Sequence, residues 1–164
     1  MGTAADTGTV SAAREQFMHR AIDLARRSLA AGGPPVGAVL VRDNTVIAEA
    51  QNAVIAETDV TAHAEIMLLR QACHEQRRLE LAGDELYVTV EPCMMCFAAC
   101  AYAGIDTVWF GAPISRMAEI TGHEVAIGGQ DTDATMPQLV GGLCSDECVA
   151  LLDQWQQMRG ALSR

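Results

Sequence analysis

The chain has 164 residues, half of them hydrophobic, enough for one core and too short for two ordinary domains, so a single domain over residues 1–164 is expected. Its formal net charge is −10, and its 11 basic residues are all arginines that cluster no further than the pairs Arg26–Arg27 and Arg77–Arg78, which argues against a polynucleotide partner. No apolar run approaches the roughly 20 residues that cross a bilayer, and the small, polar residues 1–11 lack the basic-then-apolar order of a secretion signal.

Those features predict a soluble, cytoplasmic protein with no membrane partner and a flexible N-terminus over about residues 1–11. From Arg14 to Ala31, Phe17, Ala21, Leu24, Ala25, Ser28 and Leu29 recur at three- and four-residue spacing. This pattern predicts an amphipathic helix, which Gly32-Gly33-Pro34-Pro35 ends. Residues 36–51 read as a β-hairpin, with Arg42-Asp43-Asn44 supplying the turn between two runs rich in β-branched residues.

After a polar loop to Val60, Thr61 is suited to cap a helix from about Ala62 to Leu81, with Ile66, Leu68, Leu69 and Cys73 on its buried side. A strand follows over Glu85 to Glu91, and Pro92 suits the first position of an apolar helix that runs to about Ala103. Gly104 stops it and Asp106 to Gly111 forms the next strand, so the centre reads as β-α-β with parallel pairing. A short helix at Ile114–Ile120, a short strand at Glu124–Ile127, a loop over 128–137 and a closing helix capped by Ser145 and running through Trp155 to Met158 complete the chain.

Six cysteines lie at 73, 93, 96, 100, 144 and 148, mostly one helical turn apart in apolar stretches. Without a secretion signal this spacing reads as metal ligands plus free thiols rather than disulfides. Cys73, Cys100, Cys144 and Cys148 are read as small buried hydrophobes.

The chemistry concentrates in His63-Ala64-Glu65 and, 26 residues later, Pro92-Cys93-Met94-Met95-Cys96. One imidazole and two thiolates suit Zn²⁺, one ion per chain, and leave a fourth tetrahedral position open to water. Both halves fall at predicted helix starts, where the positive end of the helix favours thiolates. Neutral His63, two thiolates and Zn²⁺ sum to zero charge, so the ion acidifies water less than a three-histidine site would and a nearby base is useful. Glu65 is that catalytic candidate, able to carry protons from the attacking water to a ring nitrogen and to departing ammonia. A redox C-x-x-C pair is the rival reading of the cysteines, but it leaves His63 and Glu65 without a role.

The H-x-E and P-C-x-x-C pair matches the signature of zinc deaminases. With PPVGAVLV at 34–41, AEAQN at 48–52, DVTAHAEIMLLR at 59–70, LYVTVEPCMMC at 86–96 and DECVALLDQW at 146–155, the chain resembles the cytidine deaminase-like superfamily. The resemblance is to its branch of guanine deaminases, fungal-type cytosine deaminases and bacterial tRNA adenosine deaminases. It implies an α/β fold, a three-layer α/β/α sandwich around a mixed five-stranded sheet, with zinc on His63, Cys93 and Cys96 and Glu65 as proton shuttle. It also implies substrate contacts from Asn52, which on spacing alone reads as a turn residue, and from the Ala64 backbone, and it implies a homodimer.

Thr121–Val125 resembles fungal-type cytosine deaminase, whereas the span from AEAQN to AHAEI is closer to bacterial guanine deaminase. Glu119, His123 and Glu124 read first as solvated loop residues and second as substrate contacts; Trp155 reads first as a core anchor and second as a lid stacked on the ring. The basic segments of the tRNA-editing branch are missing: Gly111–Ser115 leads to Glu119, and the last helix carries Asp146, Glu147 and Asp153. The expected function is therefore hydrolytic deamination of a small nucleobase or analogue, of guanine, cytosine or azabase/triazine type, with nucleic acid an unexpected partner. tRNA adenosine deamination and a non-catalytic zinc-stabilised interaction protein are the alternatives.

Overall fold

A computed structural model describes residues 7–122 and 136–162. The sheet is built first from the predicted hairpin, β1 (Gly37–Arg42) and β2 (Thr45–Gln51), joined by Asp43 and Asn44 at φ 48° and 58°. Two left-handed residues in a two-residue loop match the right-handed twist of the strands, and Asp and Asn tolerate that conformation better than bulkier residues do.

β3 (Glu85–Val90) pairs antiparallel with β1, and β4 (Thr107–Ala112) pairs parallel with β3 across the helix α4 (Met94–Tyr102). The order is β2-β1-β3-β4-β5, where β5 (Gln138–Val140) adds in parallel to the edge at β4. The short strand expected at Glu124–Ile127 and most of the loop over 128–137 lie outside the described residues, and the fifth strand comes from a segment that the sequence pattern left unassigned.

Helices α1 (Thr7–Ala30) and α6 (Ser145–Leu162) pack on one face of the sheet. On the other lies α3 (Ala64–Gln76), with α4 packed beside it. This is the expected three-layer α/β/α arrangement around a mixed sheet, and both faces of β3 are buried, as a central strand requires. α1 begins at Thr7 rather than Arg14, so part of the N-terminal stretch expected to be flexible is helical.

Three other boundaries differ for physical reasons. Thr61 does not cap α3: its N–H and hydroxyl both donate to Asp59 Oδ1, at 2.8 and 2.7 Å, and His63 takes the cap position. α3 stops at Gln76, not Leu81, because Arg77 turns left-handed at φ 51° and Leu81 instead donates its N–H to Ala103 O. Its buried face is Ala64, Glu65, Leu68, Leu69 and Ala72, with Ile66 and Cys73 only partly covered.

Pro92 precedes α4 by two residues, with Cys93 between them at the cap. The segment 54–57, expected to be loop, forms one helical turn, α2 (Val54–Glu57), and α5 (Ile114–Thr121) is present as expected. Ser145 is the first helical residue of α6, and Cys144 precedes it at φ 53°. No helix among the described residues is long and apolar enough to cross a membrane.

Candidate metal centre and active-site cavity

The two helix starts that the sequence pairs also meet in space. His63 caps α3 and Cys93 caps α4, both in extended conformation (φ −66°, ψ 154° and φ −69°, ψ 168°), so each side chain leaves at the mouth of its helix instead of along its flank. Cys96 follows on the first turn of α4. His63 Nδ1 lies 3.7 Å from Cys93 Sγ and 3.5 Å from Cys96 Sγ.

A tetrahedral ion with bonds of about 2.1 Å to nitrogen and 2.3 Å to sulfur requires N···S separations of about 3.6 Å. The three donor atoms all lie within 4.8 Å of one another, so the set fits zinc in both chemistry and spacing. Cys93 is lowered to about 4, chiefly by hydrogen bonding to Cys96, whose own thiol is pushed up by the same bond.

Glu65, the second residue of α3, is 3 % exposed. Burial pushes its carboxyl up to about 7, because the charged form loses its hydration. A buried carboxyl near neutrality can take a proton and release it again, whereas a surface glutamate complementing the helix dipole stays ionised. Ala64, fully buried, holds the α3 backbone between His63 and Glu65.

A cavity of about 370 Å³ opens over this centre. His63, Glu65, Cys93, Asn52 and Trp155 all line it, so five of the residues singled out by sequence converge on one space. Val36, Val54, Ile55, Val60, Val90, Ile114 and Met117 make much of the remaining wall apolar, as a flat ring requires. Asn52 is 8 % exposed and lines the cavity, and its Oδ1 accepts from Val54 N–H at 3.2 Å. Trp155 belongs to the core and to the cavity wall at once.

Glu119 is not part of this wall: it is exposed and accepts from Arg116 at 2.8 Å, which is the solvated reading. His123 and Glu124 lie outside the described residues.

Several cavity residues escaped the sequence pattern. Glu91 Oε2 accepts the Ile114 N–H at 3.0 Å and so fixes the start of α5 against the cavity. Arg159 lies 4.8 Å above the Trp155 ring and joins the cavity rim; its spacing four residues beyond Trp155 on one helix was the available signal. Ser28, counted among apolar positions by periodicity, is a buried anchor whose hydroxyl donates to Pro34 O at 2.7 Å and approaches Asn52 O at 3.1 Å. Thr89 secures the other end of the same turn, accepting from Gly37 N–H at 3.2 Å and donating to Pro35 O at 3.4 Å.

Residues 11–112 match the family described as "cytidine and deoxycytidylate deaminase zinc-binding region". The chain is 38 % identical over 144 residues to a tRNA-specific adenosine deaminase of Agrobacterium fabrum, covering 88 % of this chain and 94 % of that one. It is 42 % identical over 106 residues to a guanine deaminase of Bacillus subtilis, covering 64 % and 68 %. A solved guanine deaminase from Nitrosomonas europaea superposes with a TM-score of 0.77 at 26 % identity, covering 87 % of this chain and 84 % of that one.

Proposed function

The chain belongs to the cytidine and deoxycytidylate deaminase zinc-binding family, and from that premise we propose that it hydrolyses the exocyclic amino group of a small free nucleobase or azabase/triazine analogue, giving the oxo form and ammonia. His63, Cys93 and Cys96 would hold zinc, which would supply a Lewis acid able to acidify a water. Glu65 would take the attacking water's two protons in turn, passing the first to the ring nitrogen and the second to the departing amine, so one carboxyl serves both directions. Asn52 orients the ring through its amide NH₂, the Ala64 backbone supports the reacting edge, and the apolar wall with Trp155 excludes water.

The observation that carries the free-base reading is electrostatic. Around the cavity Arg116 is engaged by Asp153 and Glu119, Arg70 lies 3.7 Å from Asp59, and only Arg159 among the described arginines lines the wall. With a net charge of −10, few cations are left to neutralise the phosphates of a polynucleotide. Ammonia release measured over cytosine, guanine, adenine, isoguanine, ammeline and their nucleosides tests the reading; no release from any free base contradicts it.

The sequence relatives favour a second reading more strongly than the first. Adenosine deamination in tRNA is supported by the 38 % identity that spans 94 % of the Agrobacterium protein. It uses the same zinc ligands and Glu65 and needs a phosphate-binding face, so it predicts a tRNA gel shift that weakens steeply with salt. The intact Glu65 weighs against a non-catalytic zinc-stabilised role.

A homodimer, working in the cytoplasm, completes the proposal. Met94 and Tyr102 at the two ends of α4 are exposed, as a helix seated on a second copy would leave them in one chain alone. A monomer mass in sedimentation at micromolar concentration overturns the dimer.

A further inference from the structure

Outside the catalytic centre, one other group of mixed metal-ligating side chains comes together among the described residues. His19 from the middle of α1 meets Cys144 and Glu147 at the start of α6, their ligating atoms all within 4.8 Å of one another. His19 Nε2 is 2.9 Å from Glu147 Oε1 and 3.9 Å from Cys144 Sγ. Ligands sharing one tetrahedral ion with bonds of about 2.0–2.3 Å stand roughly 3–4 Å apart, so small side-chain rotations bring all three into range.

The backbones that carry these donors are fixed. The turn before Cys144 is anchored by Leu143 N–H donating to Phe110 O at 3.1 Å. Gly141 lies so close to the Phe110 ring that a β-carbon there would sit 2.5 Å from it. Cys144 O then accepts from Cys148 N–H at 3.2 Å, and α1 beneath His19 is held by the fully buried Met18 and Ile22. Preset donors on rigid elements are what a metal site needs, because little ordering remains for binding to impose.

Glu147 also faces Arg26, whose Nη2 lies 3.8 Å from its carboxylate and whose Nη1 donates to Asp23 at 2.8 Å.

We propose that His19, Cys144 and Glu147 form a second divalent-metal site of the zinc class, which ties α1 to α6. Its donor set of one nitrogen, one sulfur and one oxygen suits a borderline cation and leaves one position for water. α6 also carries Trp155 and Arg159 to the cavity wall, so the site is a structural clamp on the helix that shapes the substrate space. The inference is independent of which substrate is deaminated.

Equilibrium dialysis of the full chain against micromolar zinc tests it, with bound metal counted per chain. Two equivalents are expected in the wild type and one in His19→Gln and in Cys144→Ser, each checked for native circular dichroism. His19 is exposed, and Cys144→Ser keeps the shape of a partly buried side chain packed against the core, so neither substitution opens a cavity. One equivalent in the wild type, or two that survive either substitution, overturns the proposal.

Discussion

The Ser28 hydroxyl stands 3.1 Å from the carbonyl oxygen of Asn52, joining the last turns of α1 to a residue that lines the cavity beside His63 and Cys93. Ser28 is almost fully buried, and its own carbonyl accepts from Gly33 N–H at 2.9 Å, so one residue holds the Gly33–Pro34 turn and the end of β2 together. Removing a buried donor strands the acceptors it served, at a cost of about 1–2 kcal/mol. Ser28→Ala is therefore expected to lower the urea midpoint modestly and to raise KM several-fold through the displaced Asn52. An unchanged KM would reduce Ser28 to a structural residue.

Glu65→Gln keeps the side-chain volume and removes the proton carrier. Zinc content is expected to stay at the wild-type level while kcat falls by at least about 10²–10⁴, the usual contribution of general acid–base catalysis. Metal analysis and steady-state rates on the same preparation check this, and a loss below about tenfold removes Glu65 from the mechanism.

Arg42 and Asp84 form a two-pronged ion pair, Nε to Oδ1 at 2.6 Å and Nη2 to Oδ2 at 2.7 Å, with the Asp84 side chain fully enclosed. Arg42→Met leaves that carboxylate buried without its partner, which costs about 3–5 kcal/mol. A fall in Tm of roughly 10 °C is expected at this chain length. The double variant Arg42→Met/Asp84→Leu is expected to regain much of the loss, since no charge then remains enclosed; a double variant less stable than the single would refute this account.

Gly37 marks where α1 presses on the sheet: a β-carbon there would stand 2.1 Å from Ala21 O and 2.7 Å from Ala25 N. Backbone has little room to yield, so Gly37→Ala is expected to cost about 3 kcal/mol or more. Gly160 in α6 offers the contrast, with nothing within 4 Å of the added carbon. Gly160→Ala is expected to stabilise by up to about 1 kcal/mol through helix propensity. Thermal melts of the two variants should therefore move in opposite directions.

The parts of this fold that were legible in the sequence are those governed by local chemistry. Asp43-Asn44 can take left-handed backbone, so the hairpin was readable, and the apolar run after Pro92 fixed the β-α-β unit. His63, Glu65, Cys93 and Cys96 were readable because metal chemistry demands those residue types at short spacing. What escaped depends on distant partners. Thr61 looked like a cap until Asp59 took its hydroxyl, and Leu81 looked helical until it paired with Ala103. Ser28 fits a helical stripe, and only the folded turn supplies the carbonyls that give its hydroxyl a task. β5 is three residues long, too short for any period, and exists because β4 offers an edge.

One competition experiment bears most directly on the central claim: zinc-loaded protein incubated with a mixture of free amino-bases and unmodified tRNA, with products resolved by mass. The account predicts that a free base gains the oxo group and releases ammonia while the tRNA stays unchanged. Inosine appearing in the tRNA with every free base intact would contradict it.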